Sequence, residues 1–200
     1  MTLQARPAFV GMRCNTESGT GVVASGRDSL AIARVALRKG CAAQATQRVQ
    51  QRFAVALPLG PARIDANGLA FIGVAVETWL VTTGDRGPAE LAQILRSALG
   101  DLATVTDQSS GYGVLRLSGK HVRDSLAKLS SVNLHPNSFQ PGLVACTLAA
   151  HVPVVLWRLA DGADGAQFEV AVPRSYTGSF THALFESSAE YGFTLVAGTD

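Results

Sequence analysis

The amino-acid sequence predicts an α+β fold made of two tandem lobes, each with helices packed against an antiparallel-rich sheet. Short apolar stretches of strand length alternate with stretches whose apolar residues recur at helical spacing. The order strand, helix, proline stop, hairpin and helix also occurs twice, with the stops at Leu57-Pro58 and His135-Pro136. We interpret this order as a degenerate internal duplication. The predicted parts are an irregular arm over residues 1–26, a first lobe over 27–101 and a second lobe over 102–200.

The arm contains several glycines and shows little hydrophobic periodicity. In the first lobe, the pattern predicts a strand over Leu30–Leu37 and a helix over Ala42–Ala56, which Pro58 stops. After a turn signal at Asp65–Gly68, the remaining predicted elements are the strands Leu69–Val74 and Thr78–Thr82 and a helix between Pro88 and Gly100.

The second lobe is predicted to follow the same plan. A helix with Val122 and Leu126 on its inner face begins after Ser118-Gly119. The apolar run Leu143–Leu159 predicts one long buried strand, and Asp161–Gly165 predicts a hairpin turn. The other predicted elements are the strands Leu102–Asp107, Tyr112–Leu117 and Phe168–Val172, a helix ending at Gly192, and a closing strand Phe193–Val196.

The composition points to a protein with a face covered by a partner. Hydrophobic residues make up 47% of the chain and charged residues only 16%, against ~25% in ordinary soluble domains. The net charge is +2, and the 17 Lys and Arg are scattered, the densest group being the three cations of Arg34–Lys39. Because nucleic-acid binding requires a basic stripe or exposed stacking aromatics, the sequence predicts no nucleic-acid partner.

The three cysteines, Cys14, Cys41 and Cys146, form an odd set without CxxC spacing, which fits a reducing compartment. Residues 1–14 lack the apolar core of a signal peptide. The apolar run Val152–Trp157 is far shorter than the ~20 residues of a membrane helix. We therefore expect a cytoplasmic protein without a membrane-spanning segment.

The sequence offers few groups for metal binding or nucleophilic catalysis. No two histidines have zinc-ligand spacing, and we interpret all four as ordinary surface or hydrogen-bonded residues. Cys41 is the best-placed thiol but has no nearby histidine, and Cys146 lies within an apolar strand, so we interpret both as buried structural cysteines. The histidines are His121, His135, His151 and His182.

The carboxylates also form no clear acid–base pair. Asp161 and Asp164 belong to the hairpin turn, and Glu186 and Glu190, four residues apart, are expected to face solvent. Both tryptophans, Trp79 and Trp157, lie on strands and are expected in the core or an interface rather than against a cofactor.

Arg174 and Ser175, at the start of the final helix, are the most suggestive polar pair. An arginine at a helix N-terminus is suited to holding a carboxylate or phosphate. Helix capping by Ser175 is the structural alternative.

Several segments resemble the gamma subunit of heterotetrameric sarcosine oxidase. The resemblance spans about residues 50–195 and depends on several separate segments rather than on one motif. The segments are Val114–Gly119 (VLRLSG), Leu134-His135-Pro136, Phe139–Gly142 (FQPG), Pro173-Arg174-Ser175, Leu57-Pro58 and Glu77–Val81 (ETWLV).

This resemblance implies a non-catalytic gamma subunit whose partners are the alpha, beta and delta subunits. The family's holoenzyme oxidises sarcosine to glycine and hydrogen peroxide, with formaldehyde or, in the presence of tetrahydrofolate, methylene-tetrahydrofolate. The resemblance places FAD, FMN and NAD in or between the alpha and beta subunits and zinc in delta. It implies no catalytic, cofactor-binding or metal-binding residue in this chain. It also implies a fold similar to the folate-binding domains of glycine-cleavage T-protein relatives.

Two other functions stay open at this point. A standalone folate-binding or one-carbon transfer protein would need an acid to hold the pterin, and Asp85 and Glu77 are the candidates with a suitable local setting. An unrelated small enzyme would use Cys41 as its nucleophile.

Overall fold

The computed structural model describes residues 7–9 and 20–196 of the chain. Within these residues it contains four α-helices and eleven strands, and the strands form one six-stranded and one five-stranded sheet. Most of the paired strands run antiparallel. The α+β fold predicted from the sequence is therefore confirmed.

The five-stranded sheet belongs to a compact unit formed by Ser29–Ser110 together with Gly142–Cys146. Its strand order is β3-β4-β5-β2-β6, and the helices of this unit are α1 (Ala42–Phe53) and α2 (Pro88–Leu99). The strands are β2 (Ala31–Leu37), β3 (Arg63–Ala66), β4 (Leu69–Ala75), β5 (Thr78–Thr83) and β6 (Ala103–Asp107).

Each helix of this unit buries one apolar face. Ala45, Val49 and Phe53 of α1 join Leu91 and Leu95 of α2 in one apolar core with the sheet. Helix α1 ends earlier than the predicted Ala56, because Ala54 adopts a left-handed conformation with φ of 56° and donates its N–H to the Gln50 carbonyl. The proline at position 58 therefore follows a helix that has already ended.

Most of the six-stranded sheet belongs to a second compact unit, which contains residues 111–141 and 147–196 and the described residues before Ser29. Its strand order is β11-β1-β7-β10-β9-β8, and its helices are α3 (Val122–Leu129) and α4 (Thr177–Ser188). The strands are β1 (Val22–Gly26), β7 (Tyr112–Ser118), β8 (Val144–Ala149), β9 (Val152–Arg158), β10 (Phe168–Pro173) and β11 (Phe193–Val196).

The two sheets share a topology, as expected of a duplication. In the first sheet the hairpin strands β4 and β5 are followed by β2 and then β6, and in the second β9 and β10 are followed by β7 and then β1. Strand β2 runs antiparallel to both β5 and β6, and β7 runs antiparallel to both β10 and β1. The second sheet carries one additional strand, β11, which pairs in parallel with β1.

Strand β1 corrects the prediction that residues 1–26 form an irregular arm. Residues 22–26 form a regular strand that pairs with β7 on one side and β11 on the other. Isolated glycine-rich sequence gives little β signal, and here the pairing is supplied by two neighbouring strands distant in sequence. Residues 1–6 and 10–19 of the predicted arm lie outside the described residues.

Two further predictions about strands need correction. Strand β6, assigned from sequence order to the second lobe, pairs with β2 of the five-stranded sheet. The apolar run Leu143–Leu159 is two strands rather than one, because Ala150 and His151 turn the chain with φ of 51° and 64°. The Ala150 N–H donates to the Leu129 carbonyl at 2.9 Å, so the turn is tied to the end of α3. An apolar run alone does not reveal a turn built from two non-glycine residues.

Within the described part of the chain, no helix is long and apolar enough to cross a membrane.

Candidate functional site

The most elaborate polar cluster surrounds Glu169, a carboxylate buried in the six-stranded sheet. Glu169 lies on β10, directly opposite Arg116 on β7 and Trp157 on β9 in the strand register. Side chains of directly paired residues project from the same face of a sheet. The register therefore brings a carboxylate, a guanidinium and an indole together from three strands.

The contacts of Glu169 occupy both carboxylate oxygens. Arg116 donates to Oε1 from Nε at 3.0 Å and from Nη2 at 2.7 Å, while the Trp157 indole donates to Oε2 at 2.9 Å. Arg27 places its Nε 3.4 Å from Oε1, which is an ionic contact without a hydrogen bond. The side chain of Glu169 is 5% exposed, against 21% for Arg27 and 37% for Arg116.

This arrangement is suited to holding strands together. The carboxylate of Glu169 contacts two guanidiniums and an indole N–H, so its contacts link neighbouring strands. Because the two guanidiniums are partly hydrated, the cluster has a lower desolvation cost than a fully buried ion pair. Trp157 is fully buried and Trp79, whose indole donates to the Pro58 carbonyl at 2.9 Å, is 4% exposed, which confirms the expectation that both tryptophans are core residues.

A second cationic cluster packs on Phe168. The guanidinium carbons of Arg123 and Arg158 lie 5.3 and 5.1 Å from the Phe168 ring centroid. Arg158 is only 2% exposed, donates to the Gln167 carbonyl at 2.9 Å and forms an ion pair with Asp161. Burial and then the neighbouring charge of Arg123 lower the pKa of Arg158 below its ordinary value. The turn carboxylate Asp161 therefore has a structural partner.

Arg174 and Ser175 lie in a short 3-10 helix, Arg174–Tyr176, that leads into α4. The N–H of Arg174 donates to the Gly111 carbonyl at 2.9 Å, and its carbonyl accepts from the Thr177 hydroxyl at 3.0 Å. Tyr176 is the N-cap residue of α4, without a side-chain capping bond, and Ser175 is exposed. The predicted capping by Ser175 is therefore wrong, and the anion site at Arg174 and Ser175 stays a prediction.

The two described cysteines occupy different environments. Cys41 is half-buried and directly precedes α1, with its sulfur 4.0 Å from the Lys39 carbonyl. Cys146, which was predicted to be buried, is exposed on β8. Its thiol donates to the Val74 carbonyl at 3.3 Å, and desolvation raises the pKa of the thiol above its ordinary value. Cys14 lies outside the described residues.

The histidines do not converge on a common site. The His121 ring stacks on Tyr191 at 4.6 Å and places Nδ1 2.9 Å from Asp124. His135 and His182 are exposed, as is His151, which lies in the β8–β9 turn rather than in the strand. Among residues 7–9 and 20–196, no group of three His, Cys, Asp or Glu could hold a metal ion.

Tyr191 is held from both ends of α3. Lys128, near the C-terminal end of the helix, places Nζ 4.4 Å from the ring centroid, donates to the Ser187 carbonyl at 2.9 Å and forms an ion pair with Glu190. The Glu190 hydrogen bond raises the pKa of Lys128, and the same bond lowers the pKa of Glu190. Glu190 is exposed, as expected of it and of Glu186, and it also takes part in this cluster. The cluster fixes the segment that leads into β11.

The acids considered for pterin binding lie in turns of the five-stranded unit. Glu77 has a φ of 51° between β4 and β5, and its carbonyl accepts from the Leu37 N–H at 3.0 Å. Asp85 follows β5, and its carboxylate lies against Gly68, where an added Cβ would be 2.5 Å from Oδ2. Their positions are explained by turn geometry.

Two open cavities lie in the six-stranded unit. The larger, about 490 Å³, lies between the C-terminal end of α3 and the β8–β9 turn, and its lining includes Lys128, Leu148 and His151. The other, about 400 Å³, is lined by residues that include Lys120 and Asp164. Neither cavity contains the buried cluster of Glu169.

No local sequence pattern marks Glu169, Arg116 and Arg27 as a cluster. Their partnership depends on the register of β7 and β10, whose paired residues are 53 positions apart in the case of Arg116 and Glu169. The sequence does contain one indication of a buried polar cluster, because the charged residue Glu169 lies within the otherwise apolar strand Phe168–Pro173.

The sheets and helices define a class of two-sheet α+β proteins. The structure of the glycine cleavage system aminomethyltransferase T from Bartonella henselae matches with a TM-score of 0.64 and 16% identity, over 89% of this chain and 48% of that chain. The structure of heterotetrameric sarcosine oxidase from Corynebacterium sp. U-96 in complex with pyrrole 2-carboxylate matches with a TM-score of 0.80 and 21% identity, over 94% of this chain and 96% of the matched chain. The predicted likeness to the T-protein fold is thereby confirmed.

The chain belongs to the sarcosine oxidase gamma subunit family, whose model matches residues 39–190. Sarcosine oxidase subunit gamma from Corynebacterium sp. strain P-1 is 38% identical over 111 residues, which are 54% of this chain and 52% of that relative. The subunit from strain U-96 is 31% identical over 147 residues, which are 72% of this chain and 68% of that relative. The matched part of this chain thus spans about half the length of the first relative and two thirds of the second. The family resemblance inferred from sequence is confirmed.

Proposed function

We propose that this chain is the non-catalytic gamma subunit of a heterotetrameric sarcosine oxidase. The observation that carries the proposal is the family match over residues 39–190, which includes most of both sheets. The fold match to a sarcosine oxidase structure is a second line of support, because it does not depend on close sequence identity. The partners would be the alpha, beta and delta subunits.

The assembled enzyme would oxidise sarcosine with O2 and water to glycine, formaldehyde and hydrogen peroxide. With tetrahydrofolate in place of water, the one-carbon product would be methylene-tetrahydrofolate. FAD, FMN, NAD and zinc would be held by the partner subunits, in the cytoplasm, and this chain would contribute no catalytic residue. In the polar cluster around Glu169, both carboxylate oxygens accept hydrogen bonds from side chains of this chain, which suits a structural role.

Co-expression with the three partner subunits tests the proposal. An affinity tag on this chain should recover the flavin-bearing subunits, visible by their yellow colour, and the recovered complex should consume oxygen when sarcosine is added. A parallel expression without this chain should give little or no assembled, active oxidase. If the partner subunits assemble and turn over sarcosine equally well without it, the proposal is wrong.

A second function is favoured by one specific observation, the fold match to aminomethyltransferase T. By this alternative, the chain would be a standalone folate-binding or one-carbon transfer protein, with Asp85 or Glu77 holding the pterin. Fold similarity at 16% identity is weak support for a shared ligand. Calorimetry of the purified chain with tetrahydrofolate separates the two functions: micromolar binding that Asp85→Asn abolishes would favour the alternative.

A further inference from the structure

The charges of this chain are distributed unevenly along the sequence. Residues 29–64 contain six Lys and Arg and no Asp or Glu, whereas the whole chain carries 17 basic and 15 acidic residues. The remainder of the chain is therefore net acidic. An acid-free stretch of this length places a local positive potential on the elements that it forms, β2 and α1.

Four of these cations lie on helix α1 or on the turn that precedes it. Arg38 and Lys39 form the turn between β2 and α1, and Arg48 and Arg52 follow on α1 four residues apart, on one side of the helix. The N–H of Arg38 donates to the Leu102 carbonyl at 2.9 Å. This bond anchors the turn beside the end of α2.

Arg48 is anchored at the same place. Its Nη1 donates to the carbonyl of Leu99, the last residue of α2, at 3.4 Å. A cation is favoured there by the partial negative charge at a helix C-terminus. Asp101, in the short helix that follows α2, is the acidic residue in this segment.

We call Arg38, Lys39, Arg48 and Arg52 the basic surface. All four residues are exposed. The ion pairs of the described residues involve other cations, so within residues 7–9 and 20–196 no carboxylate lies within ion-pair distance of these four. Six of the other cations do have such a partner. The positive charge of the basic surface is therefore not neutralised by this part of the chain.

The chemistry of the surrounding residues fits a protein partner better than a nucleic acid. The other exposed residues of α1 include the neutral amides Gln44, Gln47 and Gln51. The one aromatic residue of the helix, Phe53, is 5% exposed and packs in the core, so it offers no platform for stacking a base. Exposed amides and guanidiniums of this kind are typical of the polar rim of a protein–protein interface.

We propose that the basic surface is a docking surface for an acidic surface on a partner subunit of the oxidase. This inference rests on the proposed function and specifies where and by what chemistry one partner binds. Complementary charge of this kind accelerates association and selects the correct partner, and its effect decreases as salt is added. The expected occupant is a surface of Asp and Glu side chains on a folded protein.

A charge reversal with a matched control tests this surface in the full complex. The test variant combines Lys39→Glu with Arg52→Glu. The control variant combines Arg34→Glu with Lys120→Glu and changes the net charge by the same amount. All four positions are exposed, and none makes an ion pair within the described residues. Each tagged variant is purified by itself and mixed with the co-expressed partner subunits, and association rates are measured from about 0.05 to about 0.5 M salt.

The reversal at positions 39 and 52 should slow association at low salt about tenfold or more and remove most of its salt dependence. The control reversal should behave like the wild type. The milder Lys39→Gln with Arg52→Gln should give an intermediate rate, and circular dichroism with thermal unfolding should show that all variants fold alike.

Three outcomes would overturn the inference. If the wild type assembles and both reversals assemble equally well, the docking surface lies elsewhere while the proposed function stands. If the wild type recovers no partner subunit, the proposed function fails and this inference fails with it. If the wild type binds a short DNA or RNA duplex with micromolar affinity that the reversal at positions 39 and 52 abolishes, the surface serves nucleic acid instead.

Discussion

Glu169 shows how a single buried charge is accommodated in this protein. The carboxylate accepts hydrogen bonds from Arg116 and Trp157 and has a third, ionic contact with Arg27. These residues come from β7, β9 and the end of β1, so one side chain links three separate parts of the unit. Removal of the carboxylate would leave two guanidiniums close together without their counter-ion.

We predict that Glu169→Gln lowers the free energy of unfolding by about 2 to 3 kcal/mol. The amide retains one acceptor but loses the charge that balances Arg116 and Arg27. Urea denaturation followed by tryptophan fluorescence measures the change. Glu186→Gln, at an exposed position, should change stability by less than about 0.5 kcal/mol. Equal effects of the two substitutions would show that the buried cluster contributes nothing particular.

For single residues, the sequence predicted some of the buried positions but not the pairing of charged side chains. The patterns of Trp79 and Trp157 predicted their burial, because aromatic residues on apolar strands are commonly core residues. The pairing of Arg116 with Glu169 could not be predicted, because it depends on which strands are neighbours and on their register. Local spacing along one strand carries neither piece of information.

Among the structural elements, the turn between β7 and α3 depends on a glycine at position 119. Gly119 has a φ of 110°, and an added Cβ would lie 2.5 Å from the Gly21 carbonyl oxygen. The same backbone region brings the His121 N–H to the Gly21 carbonyl at 3.0 Å. The start of β1 and the start of α3 therefore meet at a position where only a glycine fits.

We predict that Gly119→Ala destabilises the protein by about 3 kcal/mol or more, since backbone strain and a steric overlap act together. Gly40→Ala is a matched control. Gly40 also has a positive φ, 81°, but an added Cβ would meet nothing within 4 Å. Its cost should be about 1 to 2 kcal/mol from conformation alone. Thermal unfolding of both variants measures the difference, and an equal loss would contradict the steric role of Gly119.

The Lys128–Glu190 ion pair joins α3 to the segment before β11 and should make this junction dependent on pH. The hydrogen bond lowers the pKa of Glu190 below its ordinary 4.5, so its stabilisation is lost as pH falls through the lowered value. The same bond raises the pKa of Lys128 above its ordinary 10.5, so its stabilisation is lost as pH rises through the raised value. The pair therefore stabilises the fold between these two limits.

Lys128→Met should reduce stability most at neutral pH. At strongly acidic pH the loss should be smaller, because only the contacts with the Ser187 carbonyl and the Tyr191 ring are then removed. At strongly alkaline pH, where Lys128 is uncharged, the effect should be small. Urea denaturation midpoints at acidic, neutral and alkaline pH measure this profile. Glu186→Gln provides the control, because Glu186 is exposed and outside the pair. A difference between Lys128→Met and wild type that is independent of pH would exclude the electrostatic explanation.

Elements with strong local periodicity were predictable from the sequence, while elements defined by their neighbours were not. Helix α1 buries Ala45, Val49 and Phe53 as the 3.6-residue pattern indicates. Strand β1 was missed because it depends on pairing with β7 and β11 rather than on its own propensity. The strand over 103–107 was predicted, but its pairing with β2 was not, because sequence order does not specify which sheet a strand joins.

At the scale of the whole molecule, the duplicated topology explains the fold without implying a reaction. Two sheets with the same order of hairpin, central strand and flanking strand provide two cores within 200 residues. The low charged fraction, 16%, and the exposed positions of Leu59 and Val76 are consistent with a chain that has partners. The family match gives those partners an expected identity.

Native mass spectrometry of the complex recovered through a tag on this chain tests the central proposal most directly. We predict a heterotetramer that contains one copy of this 20.9 kDa chain together with three different subunits, the alpha, beta and delta subunits of sarcosine oxidase. The same preparation should consume oxygen on addition of sarcosine. Recovery of this chain alone, or only with copies of itself, under conditions in which the other three subunits are co-expressed and folded, would contradict the account.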